Sequence, residues 1–255
     1  MEQDAIDTGG PQTLRATGIR RYFSGVHALD DVTLELHRHE VVGLIGPNGA
    51  GKTTLVNIIT GFDFPSAGKV ELEGVDITSW TPHRRGRAGL ARTFQAAHSF
   101  ARLTVRENIE VSALACGARA REAQARADEL LGVLGLTVHA DTPAAFLPQG
   151  EERKLGVARA LGTRPRFLLM DEPAAGLNEG EVPDLAALVR SVRNEHEVGV
   201  LLIDHNVSLI MDVCDRIQVL DQGHTIATGS PDEIRINLDV TTAYLGRGGA
   251  GGTDG

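Results

Sequence analysis

The segment from Gly46 to Thr54, GPNGAGKTT, constrains the fold of this chain more than any other part of the sequence. It fits the phosphate-binding pattern G-x-x-x-x-G-K-[ST]. The apolar run Val41–Ile45 before it is typical of a short buried strand, and residues 54–60 after it are typical of a helix. A strand that enters a helix through a glycine loop points several backbone N–H groups and a helix N-terminus at one place. We therefore expect the loop to bind ATP or GTP. The residues expected to contact the nucleotide are Gly46, Asn48, Gly49, Ala50, Gly51, Lys52, Thr53 and Thr54.

Length and composition indicate one compact unit. The chain has 255 residues, of which 42% are hydrophobic, and this can supply a substantial core. A net charge of -9 argues against nucleic acid as a partner. Cys116 and Cys214 lie far apart and outside any paired spacing, so neither a zinc site nor a disulfide framework is predicted. The N-terminus is acidic, and no apolar run approaches the ~18 residues of a membrane span. We therefore expect a cytoplasmic protein that reaches a membrane only through a partner.

The pattern along the chain predicts an α/β organisation. Residues 1–12 and 247–255 are polar or glycine-rich and are expected to be disordered. Alternation in Val32–Leu36 and in residues 69–74 predicts an antiparallel sheet beside the phosphate loop. Helical spacing follows, and a helical insert is expected over about residues 96–163.

Two later apolar runs end in polar side chains. Phe167–Met170 is followed by Asp171 and Glu172, and Leu201–Ile203 leads to His205. Such runs are typical of strands buried in a parallel sheet, whose carboxyl ends meet at the edge where ligands gather. We expect Asp171 to hold Mg²⁺ directly or through water, and Glu172 to polarise an attacking water. His205 could hydrogen-bond the γ-phosphate. The alternatives are an acidic turn with Glu172 in solvent and a structural histidine.

In this order the motifs resemble the ATP-binding subunits of ABC transporters, from about Leu14 to Leu245. The resemblance implies a P-loop NTPase of the ABC cassette type, with a mixed or parallel sheet core, an antiparallel β subdomain and a helical insert. It also implies one domain over residues 13–246 and Mg²⁺-dependent ATP hydrolysis. The resemblance implies that Phe23 stacks on adenine; the alternative is that Phe23 is a core aromatic and Tyr22 stacks instead. It implies that Gln95, with Thr53 and Asp171, senses or ligates the metal. The other positions that match family motifs are the signature slot Pro148, Gln149, Gly150 and Glu151, the pair Asp171 and Glu172, the loop Ala174–Asn178 and the switch histidine His205.

Within this family the chain resembles one of the two ATP-binding subunits of the high-affinity branched-chain amino acid importers. The segments that carry the likeness are residues 93–95, 103–108, 173–178, 214–223 and 229–246. Urea and short-amide importers share much of this pattern. The resemblance implies a second ATP-binding subunit in a heterodimer, two membrane permease subunits and, indirectly, an extracytoplasmic substrate-binding protein. It places the chain at the cytoplasmic face of the membrane. The other readings are a soluble ABC ATPase, a nucleotide-binding scaffold and a P-loop kinase.

The signature slot departs from the usual Leu-Ser-Gly-Gly-Gln. Here it reads Leu147-Pro148-Gln149-Gly150-Glu151, so Pro148 removes a hydroxyl and an N–H donor and Glu151 adds a negative charge. Proline can still begin the helix that follows, because the N–H it lacks is unpaired there anyway. We expect a weaker grip on a partner's ATP. The hypothesis that follows is an asymmetric pair, with one competent site built on this chain's phosphate loop and one slow site that depends on its signature.

Overall fold

The computed structural model describes residues 12–23, 25–93 and 99–245. It confirms the predicted α/β fold, with a mixed sheet, an antiparallel sheet and a set of inserted helices. The disorder predicted for residues 1–12 and 247–255 lies outside the described residues, apart from Gln12, and so does the predicted site residue Gln95.

The strands form two sheets within the described residues. An antiparallel sheet has the order β2-β1-β4-β5, and a larger sheet has the order β10-β9-β3-β8-β7-β6. In the larger sheet β9, β3, β8, β7 and β6 run parallel, and β10 pairs antiparallel with β9 at one edge. The strands are β1 (Thr13–Phe23), β2 (Val26–His37), β3 (Val41–Ile45), β4 (Ala67–Leu72), β5 (Val75–Asp76), β6 (Leu90–Thr93), β7 (Phe167–Asp171), β8 (Gly199–Ile203), β9 (Arg216–Asp221) and β10 (His224–Gly229).

The central strands are apolar throughout because each of their faces packs into a separate core. In β3, Val42 and Leu44 pack with α1 and the antiparallel sheet, whereas Val41 and Ile45 pack with helices on the other side. The same alternation runs through β7 and β8. The helices are α1 (Lys52–Thr60), α2 (Pro82–Arg87), α3 (Val105–Ala115), α4 (Ala120–Val133), α5 (Gln149–Gly162), α6 (Val182–His196), α7 (Val207–Val213), α8 (Pro231–Arg235) and α9 (Leu238–Leu245).

The helical insert begins with a clear start signal. Thr104 accepts a hydrogen bond from the backbone N–H of Glu107, and the Glu107 carboxylate accepts from the backbone of Thr104, which caps the first turn of α3. Helices α3, α4 and α5 bury their apolar sides against the same core as β7 and β8. Among the described helices, none combines the length and the apolar character that crossing a bilayer requires.

Arg85 on α2 is a buried arginine that sequence reasoning did not identify. Its side chain is 1% exposed, and its guanidinium donates to the carbonyls of Ile58 and Ile59, both at 2.6 Å. It also donates to the carbonyls of Thr78 and Trp80. Burial lowers the pKa of Arg85 to about 10, so the group remains charged at neutral pH. Arg85 therefore satisfies the last carbonyls of α1, the helix that begins at the phosphate loop.

Arg85→Met should lower the free energy of unfolding by about 3 kcal/mol, because several buried carbonyl groups lose their charged donor. Urea unfolding followed by circular dichroism measures this loss. Arg87→Met is the matched control, since Arg87 lies on the same helix and is exposed, and it should change stability by less than about 0.5 kcal/mol. Equal losses in the two variants would contradict this role of Arg85.

Candidate functional site

The phosphate loop joins the end of β3 to the start of α1 and requires glycine at its entry. Gly46 has φ 152°, and a Cβ atom there would lie 2.1 Å from the backbone oxygen of Leu220 on β9. Gly51 has φ 105°, in the left-handed region, and is the N-cap of α1. Neither position accepts a side chain without movement of the backbone. Gly46 is thus required by the close approach of the loop to β9, and Gly51 by its approach to Ala28 and Leu29 on β2.

Lys52 folds back across this loop. Its ammonium donates to the carbonyl of Gly46 at 2.7 Å and to that of Pro47 at 3.1 Å, and the residue is 7% exposed. Burial lowers the pKa of Lys52, and the nearby carboxylates of Glu172 and Asp171 oppose that effect. A phosphate oxygen would offer this ammonium a stronger, charge-assisted hydrogen bond than a carbonyl does. The lysine is therefore already held at the position where a phosphate would meet it.

One pocket collects most of the predicted site. It is lined by the predicted loop residues from Asn48 to Thr54 and by Glu172 and His205, the two predicted catalytic side chains. Gly46, Asp171 and Phe23 are not part of its lining, and Gly46 lies beneath the loop against Leu220. The remaining lining residues are Ala28 and Ile203.

Glu172 and His205 contact each other at the mouth of this pocket. The Nε2 atom of His205 lies 3.0 Å from Oε1 of Glu172, and the two side chains are 50% and 28% exposed, respectively. Glu172 has φ 49°, which is uncommon for a residue other than glycine, and its N–H donates to the carbonyl of Ile203 at 2.7 Å. The chain therefore turns sharply after Asp171, and Glu172 lines the pocket. In the alternative reading, an acidic turn, its side chain would lie in bulk solvent.

Asp171 faces a different neighbour. Its Oδ2 atom accepts a hydrogen bond from Arg92 on β6 at 2.6 Å, and both side chains are largely buried. The other arm of the Arg92 fork donates to Oδ1 of Asn57 on α1 at 2.7 Å. Sequence reasoning placed a metal at Asp171 but did not identify Arg92 as its partner. The two arms link β6, β7 and the helix of the phosphate loop.

The donor set at this edge suits a hard divalent cation. Thr53 offers an exposed hydroxyl in the first turn of α1, and Asp171 offers a carboxylate, which are the oxygen ligands that Mg²⁺ prefers. The described part of the chain contains no group of three or more His, Cys, Asp or Glu side chains that could hold a metal ion. These residues therefore fit a metal whose remaining ligands are waters and nucleotide phosphates.

Asp204 is a further residue whose role the sequence did not predict. It is 5% exposed, and its two oxygens accept from the backbone N–H groups of Ala174 and Asn206, both at 2.8 Å. The Ala174 bond ties the turn that carries Glu172 to the turn that carries His205. Asn206 in turn caps α7 through the N–H of Leu209 at 2.9 Å. In the sequence, Asp204 could have been noticed as a carboxylate that follows a buried strand and comes two residues before the helix cap Asn206.

The two candidate adenine-stacking residues lie at the end of β1. Phe23 is 44% exposed with the guanidinium of Arg21 4.4 Å from its ring centroid, and Tyr22 is 39% exposed beside His27. Neither side chain belongs to a core, so the alternative reading of Phe23 as a core aromatic is wrong. Stacking on adenine remains a prediction.

The signature slot begins α5. Pro148 is the N-cap, so the helix starts one residue later than expected, at Gln149, and both residues are exposed. Gly150 has open space around its α-carbon, and the Glu151 carboxylate accepts from Lys154 at 3.2 Å. None of the four slot residues lines the phosphate pocket of its own chain as the structure describes it.

Comparison with known proteins agrees with this geometry. The family described as ABC transporter matches residues 29–175. The high-affinity branched-chain amino acid transport ATP-binding protein BraF of Pseudomonas aeruginosa is 41% identical over 248 residues, covering 91% of this chain and 97% of that protein. LivG of Escherichia coli, which carries the same description, shows the same identity and coverage. Among solved structures, the ADP conformation of the ATP-binding cassette MJ1267 superposes with a TM-score of 0.83 at 30% identity, covering 91% of this chain and 98% of that one. A nucleotide-free cassette superposes with a TM-score of 0.82 at 29% identity and the same coverage.

Asp204→Ala should reduce nucleotide hydrolysis at least about tenfold while nucleotide affinity changes little, because the phosphate loop stays intact and the two turns lose their shared acceptor. Asp204→Asn keeps one acceptor oxygen and should retain part of the activity. Turnover and nucleotide affinity measured on each variant separate the two effects. Loss of affinity equal to the loss of turnover would show that Asp204 supports the whole pocket and does not specifically position Glu172 and His205.

Proposed function

Because this chain belongs to the ABC transporter family, we propose that it is the ATP-binding and ATP-hydrolysing subunit of an importer for branched-chain amino acids. The observation that carries the catalytic part is the single pocket in which the phosphate loop, Glu172 and His205 meet. The substrate class rests on the described relatives BraF and LivG, each 41% identical over nearly the whole chain.

The residues of the pocket have separable tasks in ATP binding. The backbone N–H groups of the loop and the start of α1 face the phosphates, and Lys52 exchanges its carbonyl partners for phosphate oxygens. Thr53 and Asp171, together with Gln95, would hold Mg²⁺. When bound, that ion supplies charge neutralisation on the phosphate oxygens. Phe23 would stack on adenine from the end of β1.

Hydrolysis is assigned to the Glu172 and His205 pair. The Glu172 carboxylate accepts a proton from the attacking water and so polarises it toward the γ-phosphate. His205 lies 3.0 Å from that carboxylate and orients it. His205 would also form a hydrogen bond with the γ-phosphate. The pair would then respond to whether the third phosphate is present.

Coupling to a membrane partner is assigned to the surface beside the Gln95 segment. A cavity there lies between β6 and the insert and is lined by Arg92, Ser112 and Arg159. Arg159 also contacts Phe100, which is 48% exposed and whose ring centroid lies 5.1 Å from the guanidinium. An exposed aromatic beside a partly polar groove suits an inserted helix of another protein. We assign this groove to the two permease subunits at the cytoplasmic face of the membrane, with the binding protein outside.

Glu172→Gln in the assembled transporter should lower ATP turnover by at least about 100-fold, because the water loses its general base, while ATP affinity changes less than about threefold. The measurement is ATPase rate in vesicles that contain this chain, a second ATP-binding subunit and the permeases, with binding protein and leucine added. Glu195→Gln is the control, since Glu195 is exposed near the end of α6. The chain enters β8 shortly after α6, at the end of the strand opposite to the one that leads to His205. Full activity of the Glu172→Gln complex would refute the assignment, and stimulation by urea but not by leucine would reassign the substrate.

The altered signature predicts unequal sites in a heterodimer. The site on this chain's phosphate loop should carry most of the turnover, because the site that uses Pro148 and Glu151 lacks a hydroxyl donor and places a carboxylate near the γ-phosphate. Glu172→Gln should therefore reduce turnover much more than the matching change in the second subunit. The paired change Pro148→Ser with Glu151→Gln should raise the residual rate of the Glu172→Gln complex. Equal effects of the two Glu→Gln changes would exclude the asymmetry.

A further inference from the structure

Arg92 places a buried positive charge directly against the carboxylate that the proposed function assigns to the metal. The Nη2 atom lies 2.6 Å from Oδ2 of Asp171, and the two side chains are 9% and 15% exposed. Low exposure strengthens this contact, since solvent screens it little. Arg92 is also fixed from its other side, where Asn57 accepts from Nη1 at 2.7 Å. The charge therefore cannot swing away without breaking a second bond.

Side chains of both signs lie around the phosphate loop. Asp171 and Glu172 contribute two negative charges, and Lys52 and Arg92 contribute two positive ones, with both carboxylates acting on the Lys52 ammonium. His205, which faces Glu172, adds no negative charge. A free divalent cation approaching Asp171 is repelled at close range by the guanidinium of Arg92. Without Arg92, the carboxylates of Asp171 and Glu172 would face the ammonium of Lys52 alone.

A bound nucleotide changes this balance. Its phosphates bring several negative charges to the loop, on the same side as Thr53 and Lys52. The cation is then attracted by the phosphates as well as by the carboxylate of Asp171, and the repulsion from Arg92 no longer decides the outcome. The described residues hold no cluster of carboxylates or histidines that would bind a metal without this help.

We propose that Arg92 is a positioning residue whose charge makes divalent-metal binding at Asp171 conditional on bound nucleotide. The proposal rests on the proposed function only in assigning the metal to Asp171, and it concerns the binding of the metal and not the rate of hydrolysis.

The test measures Mn²⁺ binding to the full chain without nucleotide by electron paramagnetic resonance, and it repeats the titration with ADP. The wild-type chain should bind Mn²⁺ at least about tenfold more weakly without ADP than with it. Arg92→Gln should bind Mn²⁺ without nucleotide at least about tenfold more tightly than the wild type, because the repelling charge is gone. Arg92→Lys keeps the charge and should behave like the wild type.

Three controls define the outcome. Asp171→Asn added to Arg92→Gln should remove the gained binding, which locates the metal at this carboxylate. Arg121→Gln removes an exposed charge on α4 and should change nothing. Unfolding midpoints of all variants show whether each is folded, and if Arg92→Gln is not, Arg92→Met takes its place as the neutral variant.

The proposal is overturned if the wild type binds Mn²⁺ equally well with and without ADP, or if Arg92→Gln gains no affinity. It is also overturned if Arg92→Lys gains as much as Arg92→Gln, since geometry and not charge would then be responsible. Failure of the proposed function is seen elsewhere, as absent ATPase activity in the assembled transporter, and is independent of this titration.

Discussion

The approach of Gly46 to the Leu220 carbonyl is the constraint on which the site depends. Because Gly46 has no side chain, the loop can leave β3 in close contact with β9. This path directs the backbone N–H groups of the loop and the start of α1 to the carboxyl edge of the sheet. The order β9-β3-β8-β7 then brings the ends of β8 and β7 beside the same loop. Glu172 and His205 reach the pocket because they follow these two strands. The phosphate loop, Glu172 and His205 thus meet at the carboxyl edge of one parallel sheet.

The division of labour between two adjacent carboxylates is produced by the backbone. Asp171 still belongs to β7 and pairs with Arg92 from the neighbouring strand β6. Glu172 has already turned into the left-handed region, and its N–H is held by the Ile203 carbonyl, so its side chain meets His205. One peptide unit therefore separates a carboxylate in a fixed ion pair from one that is open to the pocket. Asp204 keeps this turn in place by accepting from Ala174.

The sequence was sufficient for features that are encoded locally. The phosphate loop, the apolar strands β3, β7 and β8, and the polar residues that end two of them could all be read from pattern and spacing. Arg92, Asp204 and Arg85 could not, because their roles depend on partners brought together by folding: Asp171 lies 79 positions from Arg92, and Ala174 lies 30 positions from Asp204. Buried arginines contradict the expectation that charged residues lie at the surface, and only their partners explain them. The exposed position of Phe23 likewise depends on where β1 ends.

The phosphate loop and the signature slot at the start of α5 differ in chemistry. This difference gives a physical reason to expect that they attract phosphate with different strength. The loop face combines a buried ammonium that donates to two backbone carbonyls, the N-terminus of α1 and a carboxylate paired with Arg92. The signature face begins with Pro148, which offers no N–H, and carries Glu151, whose charge is compensated by one hydrogen bond from Lys154 at 3.2 Å. The helix dipole of α5 still favours an anion at this end, but a carboxylate in the first turn already uses part of that field. A phosphate presented by a partner would therefore find one N–H donor fewer here, at Pro148, and a carboxylate in the first turn of the helix.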